Sequence, residues 1–253
     1  MDNTQRFSDR AGLYVKYRPS YPKQALDFLY EQIGFHASST IADIGSGTGI
    51  FSSLLLERGS EVIAVEPNEA MRAEAEGALL VREGYRSVAA AAESTGLSDA
   101  SVDFIVCAQS FHWFDRSAAK TEFHRILKPG GKVALIWNSR LTEGTPFLDG
   151  YDRLLRTYGI DYEHVSHKNI APVDLRSFFL EEGEGMQIAS FDFAQLLNEE
   201  ELLGRMLSSS YMPLAGHPHH EPLLAELKLL FQNTSKDGRV SFDYRTELFW
   251  GEV

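Results

Sequence analysis

The first half of the chain alternates short apolar runs with segments of helical periodicity. The apolar runs have the length and composition of strands, and they are TIADIG at 40–45, EVIAVEP at 61–67, YRSVAAA at 85–91, SVDFIVCAQ at 101–109 and KVALIWN at 132–138. Between the runs, apolar residues recur three or four positions apart, as on one face of an amphipathic helix. This alternation predicts right-handed βαβ units and a parallel sheet with helices on both faces.

The second half has a different pattern. Residues 139–186 contain several glycines and prolines and no strong strand, and we interpret them as a partly helical insertion. MQIASFDF at 186–193 is a predicted strand, and residues 199–231 have helical spacing. In RVSFDYRTELFW, at 239–250, apolar and polar residues alternate, which favours an antiparallel strand. The sequence thus predicts a Rossmann-like, three-layer α/β fold with seven strands, mostly parallel, whose antiparallel final strand lies beside the fifth.

Composition and charge limit the partners of the protein. The chain has 253 residues, 43% of them apolar, and a net charge of −12. An acidic chain is poorly suited to nucleic acid or to an anionic membrane, because phosphate groups need a basic surface. The single cysteine, Cys107, cannot form an internal disulfide, and neither a signal peptide nor a membrane span is evident. We expect a cytoplasmic protein, monomer or homodimer, that acts on a small molecule.

Three alternating glycines follow the first predicted strand, in DIGSGTGI at 43–50. Such a turn between a strand and a helix lets a ligand approach the backbone at the carboxyl edge of the sheet. The dinucleotide fingerprint is GxGxxG, whereas this loop reads GxGxG and has Ile50 where the third glycine would lie. Asp43, just before the loop, would repel a pyrophosphate and suit a cationic amino group. The loop therefore favours a nucleoside that carries an amino acid over one that carries phosphates.

Two further carboxylates follow at the ends of the next predicted strands. Glu66 ends the second strand, about 20 positions after the loop, where nucleoside-binding α/β folds have an acid that binds the ribose hydroxyls. Pro67 and Asn68 then turn the chain, and Met71 can form an apolar wall for an adenine. Glu93 follows the third strand, where the adenine amino group would lie. Three acids at successive strand ends suit a cationic nucleoside without phosphates.

Taken together, these segments resemble the class I S-adenosylmethionine-dependent methyltransferases. The resemblance covers residues 10–140 and rests on DIGSGTG, VEPN, AESTGLSDASVDFIVCAQSFHWFD and FHRILKPGGKVALIW. More narrowly, YVKYRPSYP, HWF at 112–114, SSSY at 208–211 and the final strand are similar to the trans-aconitate methyltransferase-like subfamily. The resemblance implies that S-adenosylmethionine donates a methyl group, leaving S-adenosylhomocysteine, to a small-molecule acceptor such as a carboxylate or hydroxyl oxygen.

The resemblance also implies roles for individual residues. The loop glycines would pass along the methionine part of the cofactor, Glu66 would bind the ribose, and Gln109 would lie near the amino acid end or the sulfonium. Many relatives have an aspartate before the adenine-contacting residue, where this chain has Ala92. The residues implied in cofactor binding are Asp43, Gly45, Gly47, Gly49, Glu66, Pro67, Asn68, Met71, Ala92, Glu93 and Gln109.

We expect one methyltransferase domain over residues 1–253. Within it, residues 36–138 would bind the cofactor, 1–35 would form an N-terminal lid or helix, and 139–186 and 194–238 would form helical insertions on the acceptor side. A surface helix without a lid role is the alternative for the N-terminal segment. Candidates for the lid and the acceptor side are Tyr14, Tyr17, Arg18, Trp113, Trp137, Arg140, Tyr151 and Tyr211, with Arg140 as a partner for a carboxylate.

His112 is the candidate general base, which is needed only if the acceptor is protonated at the working pH. The alternative is that His112 is a polar neighbour of Trp113 and Phe114 at the start of a helix. The histidines of GHPHH at 216–220 lack acidic or cysteine partners at metal-ligand spacing, so we expect no metal site. Cys107 lies in a buried strand pattern and should be inert. Two other functions stay open, a nicotinamide-dependent oxidoreductase and a non-catalytic S-adenosylmethionine-binding regulatory protein.

Overall fold

The computed structural model describes residues 8–163, 172–180 and 185–253 and has a seven-stranded mixed sheet at its centre. The strands are β1 Thr40–Ile44, β2 Glu61–Val65, β3 Tyr85–Val88, β4 Val102–Ala108, β5 Leu127–Arg140, β6 Gln187–Leu197 and β7 Val240–Gly251. Their order across the sheet is β3-β2-β1-β4-β5-β7-β6. Strands β1 to β5 pair in parallel, whereas β7 is antiparallel to both β5 and β6. The predicted topology, with an antiparallel final strand beside the fifth, is confirmed.

Helices cover both faces of the sheet, so the predicted three-layer, Rossmann-like arrangement is also confirmed. One 3-10 turn, Ser8–Arg10, precedes the first α-helix, and another, Phe111–Trp113, follows β4. A π-helical turn, Leu29–Ile33, extends the second helix. The α-helices within the described residues are α1 Ala11–Tyr17, α2 Lys23–Phe28, α3 Ile50–Glu57, α4 Glu69–Leu79, α5 Arg116–Ile126, α6 Pro146–Tyr158, α7 Pro172–Phe178, α8 Glu199–Leu207 and α9 His220–Thr234.

Successive residues of the central strands pack into two different cores, one on each face of the sheet. Ile105 and Leu135 pack on the face covered by α5 and α7. Val106 and Ile136, their neighbours in the chain, pack on the face covered by α2 and α3. Because both faces are buried, these strands are apolar throughout rather than alternating, as expected for a parallel sheet between helices.

A third core lies over the antiparallel half of the sheet. The apolar sides of α6, α8 and α9 pack against Val240, Phe242 and Tyr244, which occupy one face of β7. The residues that alternate with these three are less buried, and they include Asp243 and the exposed Arg245. The alternation that predicted an antiparallel strand therefore reflects one face under helices and one face closer to solvent.

The helical stretch predicted over 199–231 is two helices instead of one. Pro213 and Pro218 lie in the segment between α8 and α9. Proline has no backbone N–H to donate and its ring clashes with the preceding turn, so a helix does not continue through it. The apolar spacing on either side of this segment corresponds to α8 and α9, and the break between them follows from the prolines.

Two strands are longer than the sequence pattern predicted. Strand β6 continues past the predicted end at 193 to Leu197, because it pairs with β7 along its whole length. Strand β5 begins at Leu127, which pairs with Val102. The KPGG turn at 128–131 therefore lies within β5, where the register of its pairing with β4 shifts. Residues 1–7, 164–171 and 181–184, which belong to the predicted lid and insertion, lie outside the described residues.

Gly49 and Gly77 provide a matched pair of substitutions with opposite expected effects. Gly49 has a φ of 78°, and a Cβ there would lie 2.7 Å from Leu79 Cδ1. Gly77 is exposed within α4, and a Cβ there would meet nothing within 4 Å. Gly49→Ala should lower the free energy of unfolding by about 1–3 kcal/mol, whereas Gly77→Ala should raise it by about 0.5–1 kcal/mol. Urea denaturation measures both, and effects of the same sign would contradict this account.

Candidate functional site

A cavity of about 220 Å³ opens at the carboxyl ends of β1, β2 and β4. Its lining residues come from the loops after these strands, from the segment around α1 and from α8. This edge of the sheet is where open α/β folds bind their ligands. Among the residues implied in cofactor binding, those on the wall are Gly45, Gly47, Glu66, Pro67, Asn68, Met71, Ala92, Glu93 and Gln109.

The Glu66 carboxylate joins the glycine loop to the turn after β2. Its Oε2 accepts a hydrogen bond from the backbone N–H of Gly47 at 2.9 Å, and its Oε1 accepts one from Asn68 at 2.8 Å. The side chain is only 8% exposed, and burial raises the pKa of this carboxyl despite the two hydrogen bonds that oppose the shift. Each carboxylate oxygen keeps a further lone pair, so Glu66 can still accept hydrogen bonds from a ribose diol.

Asp43 and Gly49 lie behind the wall of the cavity rather than on it. Gly49 faces Leu79 and Ala75 of α4, so a glycine at this position is required by packing between two elements. A Cβ at Gly45 would overlap Ser110, which follows β4, and this close approach of the two loops explains the glycine there. Of the three loop glycines, Gly45 and Gly47 border the cavity and Gly49 supports it.

Asp43 is a fully buried carboxyl beneath the glycine loop. Its Oδ2 accepts a hydrogen bond from Ser52 Oγ at 2.6 Å, and within the described part of the chain its Oδ1 has no hydrogen-bond partner. Burial raises the pKa of Asp43 to about 7, with a smaller contribution from the negative charge of Glu66. A cation bound nearby would favour the ionised carboxylate.

Two hydroxyl groups of the loop are also without partners in the described structure. Ser46 Oγ and Thr48 Oγ1 are buried, and both residues border the cavity. Buried polar atoms normally have a hydrogen-bond partner. Together with Glu66 on the wall and Asp43 below it, these hydroxyls fit a polar, cationic nucleoside such as S-adenosylmethionine.

Gln109, at the end of β4, has a φ of 63°, which is uncommon for a residue other than glycine. Its backbone N–H donates to the carbonyl of Ile136 at 2.8 Å, and its side chain slightly opposes the rise that burial causes in the pKa of the Tyr21 phenol. Such backbone conformations concentrate at functional sites. Tyr21 also borders the cavity, and the sequence offered a signal for it, because it lies within the YVKYRPSYP segment of the resemblance.

The wall proposed for the adenine is apolar, with one acid beside it. Met71 and Ala92 are buried and border the cavity. Asn68 caps α4, since its Oδ1 accepts from the backbone N–H of Met71 at 3.0 Å. Glu93 Oε1 accepts from the backbone N–H of Asp115 at 2.8 Å, which links the end of the third βα unit to the start of α5.

The structure separates the candidates for the lid and acceptor side into two groups. Tyr14, Arg18 and Trp113 border the cavity, whereas Tyr17, Trp137, Arg140, Tyr151 and Tyr211 are not among its lining residues. The ring of Tyr17 packs on Gly204 of α8. Arg205 and Asn138 also line the cavity, and no sequence pattern indicates a site role for either residue.

The other four candidates have neighbours elsewhere. Arg140 is ion-paired with Asp152, at 2.6 Å, and donates to the hydroxyl of Tyr162 at 2.7 Å, so its charge is neutralised within the fold. The residues that pack in the cores are Trp137, beside Phe249, Tyr151, beside Phe242, and Tyr211, beside Tyr162. A direct role in acceptor binding therefore stays a prediction for these residues.

His112 lies in the 3-10 turn after β4 but is not among the residues that line the cavity, unlike Trp113 and Phe114. Trp137 Nε1 donates a hydrogen bond to His112 Nδ1 over 3.3 Å. In a neutral imidazole this leaves the proton on Nε2 and engages the nitrogen that would otherwise act as a base. The role of His112 as general base stays a prediction that this geometry does not favour.

Metal-binding clusters and membrane-spanning helices are both absent from the residues that the structure describes. No three or more His, Cys, Asp or Glu side chains among them are grouped so as to hold a metal ion. None of the helices formed by these residues combines the length and apolar character that crossing a membrane requires.

The sequence is similar to known methyltransferases. A family profile described as methyltransferase domain matches residues 42–135. An uncharacterised methyltransferase-like protein of Schizosaccharomyces pombe is 30% identical over 94% of this chain and 92% of its own length. The chain therefore belongs to the methyltransferase family, and its fold is that of the class I S-adenosylmethionine-dependent methyltransferases.

Two other matches extend this comparison. An uncharacterised methyltransferase of Mycobacterium tuberculosis is 38% identical over 55% of this chain and 54% of its own length, so the match spans about half of that relative. The structure of a protein described as a type II methyltransferase, from Anaeromyxobacter dehalogenans, superposes with a TM-score of 0.67, covering 93% of this chain and 98% of that one at 23% identity. These matches do not distinguish the trans-aconitate methyltransferase-like subfamily.

Cofactor binding should depend on pH through Asp43. The pKa of this carboxyl is about 7 in the free protein, and a bound cation would lower it. The affinity for the cofactor should therefore be highest above pH 7, where Asp43 is ionised. It should fall as the pH drops and Asp43 takes up a proton. S-adenosylhomocysteine should bind about 10-fold more weakly at pH 6 than at pH 8.

Calorimetry at both pH values measures this dependence, with Asp43→Asn as the control variant. The variant should lose most of the difference between pH 6 and pH 8, since it has no proton to exchange at this position. The same pH dependence in Asp43→Asn and in the parent would show that another group is responsible.

Proposed function

We propose that the protein transfers a methyl group from S-adenosylmethionine to a small-molecule acceptor. The observation that carries this proposal is the cavity at the strand ends, where Glu66 and the glycine loop border one wall. The pairing of Glu66 with the backbone N–H groups of Gly47 and Asn68 supports a preformed site for a ribose. The acidic net charge of −12 supports a small acceptor over a nucleic acid.

The chemistry requires the protein mainly to bind and orient. The cofactor supplies a methyl group already activated by its sulfonium, which an acceptor atom takes while the sulfur keeps the electron pair of the broken bond. Holding two reactants in line can lower a barrier by about 7–11 kcal/mol. We assign Glu66 to the ribose, the glycine loop and Gln109 to the amino acid end, and the aromatic residues Trp113 and Phe114 to a wall that excludes water.

The acceptor itself is described only by class. A carboxylate acceptor would be ionised at neutral pH and would need no general base, which agrees with the position of His112 outside the cavity wall. Arg140 gives no support to a carboxylate acceptor, because its positive charge is already paired with Asp152. Membership of the methyltransferase family favours this function over the nicotinamide-dependent oxidoreductase that the sequence left open. A non-catalytic S-adenosylmethionine-binding protein is the second possibility.

Methyl transfer can be tested with S-adenosylmethionine labelled in its methyl group. The purified protein would be incubated with the labelled cofactor and a panel of small acids, phenols and amines. We expect label in one class of acceptor, together with an equal amount of S-adenosylhomocysteine, and no measurable affinity for NAD. Preference for NAD over S-adenosylhomocysteine in calorimetry would overturn the proposal. Cofactor binding without any transfer would favour the non-catalytic alternative.

Glu66→Gln should weaken binding of S-adenosylhomocysteine. The amide removes the charge, and one end of it presents a donor to a backbone N–H that is itself a donor. Hydrogen bonds to charged groups contribute about 1.5–3 kcal/mol each, so the dissociation constant should rise about 10-fold to 100-fold. The matched control is Glu61→Gln, which alters an exposed acid at the other end of β2 and should leave binding unchanged. An unchanged constant in Glu66→Gln would mean that the ribose lies elsewhere.

A further inference from the structure

Arg205 is a buried cation whose side chain lies on the wall of the cavity. It belongs to α8, far beyond residues 42–135, which match the methyltransferase profile. The residues implied in cofactor binding run from Asp43 to Gln109 and thus lie within that matched part of the chain. Helix α8 belongs instead to the stretch 194–238, which the sequence predicts to lie on the acceptor side. A ligand contact made by Arg205 would therefore concern the acceptor.

The guanidinium group of Arg205 is held in place by neutral partners. Its Nε donates to the hydroxyl of Tyr244 at 2.9 Å, and its Nη1 donates to Ser209 Oγ at 3.2 Å. The central carbon of the guanidinium lies 5.4 Å from the ring centre of Phe242 and 5.9 Å from that of Tyr244. Strand β7 thus orients the group before any ligand arrives, and a group that is already oriented loses little freedom on binding.

No carboxylate pairs with Arg205 among the residues that the structure describes. Its two hydrogen-bond partners are hydroxyl groups, and its side chain is 6% exposed. Arg18 adds a second positive charge nearby, because its Nη2 donates to the same Ser209 Oγ at 3.3 Å. Burying a cation without a counter-ion is unfavourable, so a bound anion would offset this cost.

Arg205 also keeps hydrogen-bond donors for a ligand. A guanidinium group has five N–H donors, and the bonds to Tyr244 and Ser209 use two of them. Its Nη2 makes no hydrogen bond within the described part of the chain. Three donors are therefore left, which is enough for two parallel hydrogen bonds to one oxyanion, as guanidinium groups make with carboxylates and phosphates.

Arg140, the arginine that the sequence suggested for a carboxylate, differs from Arg205 in both respects. Its charge is paired with Asp152 at 2.6 Å, and it does not line the cavity. Arg205 lines the cavity and has no such acid beside it in the described structure. The geometry therefore transfers the role of binding an acidic ligand from Arg140 to Arg205.

We propose that Arg205 binds an anionic group of the methyl acceptor, so that the substrates of the protein are small molecules with a carboxylate or a phosphate. The inference rests on the proposed function, because it names the class of acceptor for the same site. The attacking atom forms a bond to the methyl carbon, the sulfur keeps the electron pair of the broken bond, and any proton on the attacking atom passes to water. Oxygens that accept from Arg205 have less electron density to donate, so the methylated atom is one that Arg205 does not bind.

Matched acids and amides test this inference in the parent protein. The protein, saturated with S-adenosylhomocysteine, would be titrated in a calorimeter with butyrate, succinate and phenylacetate and with the neutral amide of each. At least one acid should bind about 10-fold or more tightly than its amide. Benzylphosphonate, compared with phenylacetate, distinguishes a preference for phosphates from one for carboxylates. If no acid in the panel bound more tightly than its amide, the inference would be overturned.

Arg205→Gln should remove the preference for acids. Binding of the preferred acid should weaken about 10-fold or more, whereas binding of its amide and of S-adenosylhomocysteine should stay within about 3-fold of the parent. Arg205→Lys should keep part of the preference, because it keeps the charge. The matched control is Arg245→Gln, which removes an exposed arginine of β7 paired with Asp192 and should leave all the constants unchanged.

A thermal melt by circular dichroism shows whether each variant is folded, and Arg205→Lys decides the question if Arg205→Gln is not. Equal weakening of the acid and its amide in a folded variant would contradict the inference, as would an unchanged affinity for the acid in Arg205→Gln. Loss of S-adenosylhomocysteine binding from a folded variant would also overturn it and would assign Arg205 to the cofactor. These outcomes leave the proposed function intact, whereas failure of the parent to bind S-adenosylhomocysteine would overturn both.

Discussion

The hydrogen bonds of one buried carboxylate set the shape of the candidate site. Glu66 accepts hydrogen bonds from the backbone N–H groups of Gly47 and Asn68. A single side chain thus holds the glycine loop against the turn after β2. Backbone N–H groups that a loop would otherwise leave to solvent are thereby satisfied in the folded chain. Helices α3 and α4 begin just after the two segments that this carboxylate joins.

The charged residues that line the cavity come from different parts of the fold. The acids Glu66 and Glu93 come from loops of the parallel sheet, whereas Arg18 directly follows α1 and Arg205 lies in α8. A chain with a net charge of −12 thus places two of its cations where no acid of the described fold pairs with them. Charges of both signs in one cavity restrict the direction in which a ligand with separated charges can bind, because reversing it would bring like charges together.

Much of the fold and half of the site could be predicted from the sequence, and the division has a physical reason. Strand periodicity, the glycine loop and Glu66 are local signals, since each depends on neighbours in the chain or on a fixed spacing. The neutralisation of Arg140 by Asp152 and the place of Arg205 beside Ser209 depend on how α6 and α8 pack. Side-chain partners that meet only through tertiary packing leave no spacing pattern in the sequence.

The position of β7 between β5 and β6 constrains the order in which the sheet can be completed. Its partners on β5 are distant in the chain, as in the pairs Val133 with Gly251 and Arg140 with Tyr244. Closing so long a loop costs chain entropy, so these pairings should form late in folding. Until they form, β5 is an open edge whose unpaired backbone groups can associate with strands of other molecules. We therefore expect the pairing of β7 with β5 to reduce association between partly folded chains as well as to complete the sheet.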